Sequence, residues 1–378
     1  MSRISLRAVT ALFILMVAAS VSASAQRKDD KKGAEGGLSN EQRQELLPLF
    51  RLVDEVMKGA APGTYLVNAS DKEQAPSQAA PETVTLTWRN DFLKAQGGQI
   101  FVPFSVQIPP GALGSSIAGY LRVAPKGSTG ITPPEGKSNE KKDDDKKGQS
   151  ATQYPFEDVY FTELRPTPGQ PLKLTRAFAV PPGEYDVYVA LRDRAVAGAK
   201  DKEEAPVKVT VHKQELTVPD FHSNELQTSS IIVADKIEQL SSPVAPEAQK
   251  ERPYVLGDTE IVPAQDLQFK KSEELQVVFQ IYGAQFGEDK KPDVTVEYVF
   301  HQKDGTGEKP FNKTAPQAFT GQTLPPNFDP DQGHQLVAGQ AVPLASFPEG
   351  DFRLEIKITD NKAQKSITRD VNFTVVAS

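Results

Sequence analysis

Residues 181–193 read PPGEYDVYVALRD, and residues 348–360 read PEGDFRLEIKITD. Gly183 aligns with Gly350, Tyr185 with Phe352, Val187 with Leu354, Val189 with Ile356, Leu191 with Ile358 and Asp193 with Asp360. Every pair is offset by 167 residues. In each copy Pro and Gly turn the chain sharply, Gly being the residue that accepts a positive φ. An aromatic then opens a strand whose alternate apolar residues share one face. The closing Asp is placed to cap a turn through its side chain. A second alternating run follows each copy: Val207, Val209 and Val211 after the first, Val371, Phe373 and Val375 after the second. The offset is far longer than the roughly 20 to 50 residues of a solenoid period, so it predicts duplication of a whole domain.

Outward from the repeat the period stays near two. Ile100, Val102, Phe104, Val106 and Ile108 alternate over nine residues, and Val84, Leu86 and Trp88 alternate with threonines. Similar signals cover residues 119–123, 159–164, 172–178, 231–233, 275–281 and 294–300. Short strands between Gly/Pro turns, with no helical pattern among them, predict β-sandwiches and not βαβ units. The expected fold is all-β, two tandem immunoglobulin-like sandwiches behind a short amphipathic helix. The first is expected over 82–215, with a charged insertion at about 126–153, and the second over 216–378. The insertion contains SNEKKDDDKKGQS at 138–150, whose composition cannot bury a core, and it reads as a solvated segment. The Pro-rich stretch 309–331 reads as a loop of the second domain.

The N-terminal part has its own logic. Arg3 and Arg7 precede the apolar run 8–21, and Ala23-Ser24-Ala25 supplies small residues for cleavage. Residues 1–25 therefore read as a signal peptide, which makes the expected product exported, periplasmic or extracellular, and soluble after cleavage near Ala25. Residues 26–38 read as a disordered leader. In 39–81, a helical segment and connector, Ser39 and Gln42 have capping-box spacing. Leu46, Phe50, Val53 and Met57 fall on one helix face, and Gly59 is placed to end it. At Pro48 the helix either kinks or begins.

Composition excludes several functions. The chain has no cysteine, so disulfides and thiolate chemistry are absent. Its formal charge of −7 argues against nucleic acid and anionic membrane as partners. No apolar run beyond the signal peptide approaches the about 20 residues of a membrane span.

Catalytic motifs are not found. The nearest string to a nucleophile elbow, Gly114-Ser115-Ser116-Ile117-Ala118, lacks the second glycine. His212, His222, His301 and His334 have no zinc-site spacing, and Gly305-Thr306-Gly307 lacks the Lys of a phosphate loop. Asp329-Pro330-Asp331 has two of the carboxylates of a calcium loop and no third, so it reads as a turn. No cofactor is expected and no enzyme. The densest aromatic cluster, YPFEDVYF at 154–161, offers Tyr154, Phe156 and Tyr160 as candidate ligand contacts. The expected function is non-catalytic binding through strand edges or end loops, to an unknown protein or glycan partner. Oligomeric state is left open. The alternative is a carbohydrate-binding or polysaccharide-acting secreted protein.

Two resemblances accompany this reading. The duplicated segment resembles the closing strands of fibronectin type III and related immunoglobulin-like modules, which implies that Gly183, Tyr185, Asp193, Gly350, Phe352 and Asp360 are structural positions. Residues 229–240 (SSIIVADKIEQL) and 347–375 are similar to the β-rich C-terminal part of bacterial secreted proteins of the GWxTD type. The Gly-Trp-x-Thr-Asp motif itself is absent, the single Trp being Trp88 in LTWRND. That resemblance implies a fold and carries no catalytic residues.

Overall fold

The structure, a computed structural model, describes residues 38–67, 86–129, 154–194, 207–305 and 307–377. The expected signal peptide, the leader up to residue 37, the connector from residue 68 and residues 130–153 of the insertion lie outside the described residues. Two compact units are present. Of the described residues, those of 38–90 and 104–219 form one, and those of 91–103 and 220–377 form the other. The expected boundary at 215/216 falls inside a strand, and the division comes at Pro219/Asp220. Residues 91–103 group with the C-terminal unit, so the division also passes through the strand Ile100–Ile108.

In the N-terminal unit, α1 (Asn40–Met57) opens with the expected capping box: Ser39 Oγ accepts the Gln42 N–H at 3.1 Å, and Gln42 Oε1 accepts the Ser39 N–H at 2.9 Å. The helix runs through Pro48. Its buried residues are Leu46, Leu49, Leu52, Val53, Val56 and Met57. At about 2 kcal/mol each, their burial outweighs the roughly 3 kcal/mol of an internal proline. Gly59, at φ 111°, follows the end of the helix.

Eight labelled strands follow: β1 (Gly63–Val67), β2 (Thr87–Asn90), β3 (Ile100–Ile108), β4 (Ser116–Pro125), β5 (Phe156–Glu163), β6 (Leu172–Val180), β7 (Gly183–Asp193) and β8 (Val207–Val218). They form one sheet in the order β1-β8-β7-β4-β5 and a second in which β2 and β6 both pair with β3. Side chains cross between the sheets: Phe156 lies 6.0 Å from Phe178, and Trp88 stacks at 6.0 Å on His212. Residues 185–192 of β7 are buried on both faces. Tyr188 and Ala190, with Ala118, Tyr120, Val209 and Val211, pack on α1.

The C-terminal unit has β9 (Ile232–Gln239), β10 (Thr259–Pro263), β11 (Gln268–Lys270), β12 (Glu274–Tyr282), β13 (Val294–Asp304), β14 (Gly307–Lys313), β15 (Leu336–Pro343), β16 (Gly350–Asp360) and β17 (Lys365–Val376). One sheet runs β11-β17-β16-β13-β14. In the other, β12 pairs with β15 on one side and with β9 on the other. A single core lies between the sheets, with Val277 and Phe279 from β12, Tyr298 and Phe300 from β13, and Phe352, Leu354, Ile356 and Phe373 from the closing hairpin. The stretch 309–331, read from sequence as a loop, contains β14 and a three-residue strand, Gln317–Phe319. Its polar residues show no alternation, because β14 is an exposed edge strand that bulges opposite Phe300/His301.

The two units share one strand order. β3 pairs with β6 as β12 pairs with β15; β4 pairs with β7 and β7 with β8, as β13 pairs with β16 and β16 with β17. This is the B–E and C–F–G connectivity of immunoglobulin-like sandwiches. Tyr185 adds a tyrosine corner at the start of β7, its hydroxyl donating to the Pro181 carbonyl at 3.0 Å. Phe352 holds the same place in β16 without a hydroxyl and stacks on Phe373 at 5.4 Å. The units differ on the outer face. Where β7 presents Tyr188 and Ala190 to α1, β16 presents Glu355 and Lys357. The helix sits where the repeated strand is apolar on both sides.

Candidate functional site

The start of β5 divides the aromatic cluster that the sequence singled out: Phe156 and Tyr160 share the sandwich face of the strand, and Tyr154 precedes it. Tyr154 lies on the helix side, its ring centroid 4.1 Å from the Arg122 guanidinium. Phe156 points into the sandwich, against Phe178. Tyr160 is buried beside Gly119, where an added Cβ would lie 2.2 Å from its ring, and the Arg176 guanidinium sits 4.4 Å from the ring centroid. Burial raises the Tyr160 hydroxyl pKa well above its ordinary value. Phe156 and Tyr160 are turned into the sandwich and Tyr154 to the helix side, so the three rings form no common platform.

Beneath α1, a charge cluster forms around the buried Arg122 guanidinium. Arg122 reaches Asp54 at 2.5 Å, Glu157 at 3.0 Å and the Tyr120 hydroxyl oxygen at 2.6 Å. Burial opposes the Arg122 charge, but Tyr120 and the two carboxylates outweigh it and hold its pKa above the ordinary arginine value. Arg192 donates to the Glu45 carbonyl at 3.0 Å, and Arg194 lies 3.4 Å from the Glu45 carboxylate. These contacts hold α1 to the sheet.

The histidines are apart. His222 contacts the Gln99 carbonyl at 3.0 Å, His301 lies 3.7 Å from Glu355, and His334 Nδ1 accepts the Asp329 N–H at 2.9 Å. His212 stacks on Trp88, and its pKa is lowered by burial. Asp329 caps a turn, and Asp331 pairs with Lys290 at 2.5 Å. Among the described residues no group of three metal-ligating side chains occurs. A cleft of about 330 Å³ beside β11 is lined partly by Lys303, Asp351, Asn372 and Thr374, which bond among themselves at 2.7 Å.

The strand edges of the C-terminal unit are built differently from one another. Proteins blunt exposed edges with Lys, Pro, short strands or inward-pointing charges, because unpaired backbone groups recruit other strands. β14 carries Lys309, Pro310 and Lys313. The far side of β17 is met by β11 at residues 374–376, and Lys365 and Arg369 reach from it to Glu225 at 3.0 Å and Thr228 at 3.1 Å. The outermost strand beyond β10, Val255–Leu256, has only two residues.

β15 has none of these devices along residues 336–342. Its sequence LVAGQAVP carries no charge, and among the described residues its only ladder partner is β12. The Leu344 N–H donates to the Glu273 carbonyl at 3.0 Å, which sets the parity of the ladder. Residues 336, 338, 340 and 342 bond toward β12, and the backbone N–H and C=O groups of Val337, Gly339 and Ala341 point away from it. Among the described residues no strand pairs with that side. The matching strand of the N-terminal unit, β6, carries Lys173 and an inward-pointing Arg176. Sequence reasoning passed over β15, since Gly and Ala give weak strand signals. The readable sign was the missing charge.

No family model matches the chain, and no curated protein matches it. Among solved structures the chain is similar to an alpha-2-macroglobulin of Salmonella, at 13% identity and a TM-score of 0.18, over 84% of this chain and 18% of that one. It is also similar to trypsin-activated alpha-2-macroglobulin from Escherichia coli, at 11% identity and a TM-score of 0.21, over 84% of this chain and 19% of that one. The chain spans less than a fifth of the length of either.

Proposed function

We propose that this protein is an exported, non-catalytic binding protein whose C-terminal sandwich takes an extended partner segment onto the open edge of β15. The observation that carries the reading is the contrast among edges: β14 and β17 are guarded, and no strand among the described residues pairs with the side of β15 that Val337, Gly339 and Ala341 present. Strand addition supplies affinity through main-chain hydrogen bonds and needs no deep pocket. Export rests on the N-terminal sequence, and the duplication is supported by the repeat and the shared strand order. No membrane-crossing helix is present among the described residues.

A photo-crosslinking residue at position 341, introduced into the full chain in cells, tests the reading. Cross-links are expected from 341, and none from a matched probe at 310 on β14. Equal yields from both positions, or none from 341, would overturn it.

A further inference from the structure

We infer that the strand taken by β15 is β15 of a second copy, joined about a two-fold axis through Gly339 into one continuous sheet. The inference rests on the strand-addition reading above. Its basis is self-complementarity. An axis at Gly339 sets Gly339 opposite Gly339 and Val337 opposite Ala341. All three residues are those whose backbone groups face outward, so each outward N–H of one copy meets a carbonyl of the other. The remaining pairs are Leu336 with Val342 and Ala338 with Gln340. No pair in this register contains a charge.

The side chains suit the operation. Gly339 leaves the axis itself free of a side chain, and Val337 and Ala341 are small. Moving the axis to Ala341 would bring Pro343, which has no N–H, into a hydrogen-bonded pair with Gly339, so that register loses a bond. The same operation on β14, about Phe311, would set Lys309 opposite Lys313, and like charges directly opposed are unfavourable. Nothing on β15 is large or charged enough to select a foreign sequence, whereas its own sequence matches it at every position. Because the contact is isologous, it closes at two copies and leaves no edge of this kind for a third.

The absence of cysteine makes the test clean. The full chain carrying both Val337→Cys and Ala341→Cys is oxidised and its cross-linked peptides are sequenced. Hydrogen-bonded antiparallel pairs have Cα atoms about 5.5 Å apart, inside the range of roughly 4.4–6.8 Å that a disulfide spans. Within one strand the two positions are about 13 Å apart and cannot bridge. A covalent dimer linked 337 to 341 is expected, with no dimer from Lys309→Cys/Lys313→Cys. Sedimentation should find the unmodified chain dimeric and Ala341→Lys monomeric, with unchanged thermal unfolding. A monomeric unmodified chain without the 337–341 link would overturn self-pairing, as would an Ala341→Lys chain that stays dimeric. Self-pairing alone would fall if the position-341 photo-probe then captured a different protein; loss of that capture as well would remove the strand-addition reading with it.

Discussion

Asp193 and Asp360 make the same contact in the two units. Asp193 Oδ1 accepts the backbone N–H of Gly114 at 2.5 Å, in the loop before β4, and Asp360 Oδ2 accepts that of Gln285 at 2.7 Å, in the loop before β13. Each therefore ties the end of the first strand of the closing hairpin, β7 or β16, to the loop between β3 and β4 or between β12 and β13. Asp360 does more. Its Oδ1 also accepts the N–H groups of Lys362 at 3.0 Å and Ala363 at 3.1 Å, and it is fully buried.

Asp360→Ala should destabilise the C-terminal unit by about 3 kcal/mol, since three backbone donors lose a charged acceptor inside the fold. Asp193→Ala should cost about 1 kcal/mol, because one donor is released near the surface. Urea unfolding of both variants measures the difference, and equal costs would contradict it.

Arg122→Met should loosen α1. Breaking a fully buried ion pair costs roughly 3–5 kcal/mol, but Asp54 and Glu157 keep 48% and 34% side-chain exposure, so about 2 kcal/mol is expected. Arg122→Lys should recover little of this, since an ammonium cannot reach both carboxylates as a planar fork does. Amide exchange along residues 40–57 should rise in both variants, with no change in β16.

Gly119→Ala places a Cβ 2.2 Å from the Tyr160 ring and should cost about 2–3 kcal/mol. Combining it with Tyr160→Ala should cost less than the sum of the single changes, because the clash is removed with the ring. An additive pair would mean that the strand relaxes elsewhere.

The N-terminal unit should lose stability in acid through His212. Burial lowers its folded pKa below the ordinary 6.5. The unfolded chain takes up the proton first as pH falls, so stability is greatest above about 6.5 and declines below it toward the folded pKa. Trp88, the single tryptophan, stacks on His212 and reports unfolding by fluorescence. His212→Gln should flatten the profile between pH 7 and 5.

The strands of both sandwiches were legible wherever one face is buried, as at Phe352, Leu354, Ile356 and Ile358. The capping box of Ser39 and Gln42 was legible because it is local. β14 was not, since an exposed edge strand such as GEKPFNK has no buried face to impose alternation. The candidate contacts Tyr154, Phe156 and Tyr160 were visible as a cluster, yet their separation depends on where β5 begins, after Tyr154, and on α1 covering one side. The open side of β15 is a property of what pairs with it, and pairing is not written in the strand itself. What the sequence did contain was the contrast of LVAGQAVP with GEKPFNK.

Residue-resolved amide exchange on β15 in dilute, monomeric chain tests the account most directly. The Ala338 and Gln340 N–H groups, bonded toward β12, should exchange slowly, and those of Val337, Gly339 and Ala341 should exchange fast and become protected as concentration rises. Slow exchange at Val337, Gly339 and Ala341 in the monomer would mean that the edge is already covered, and would contradict the claim that it is open for a partner.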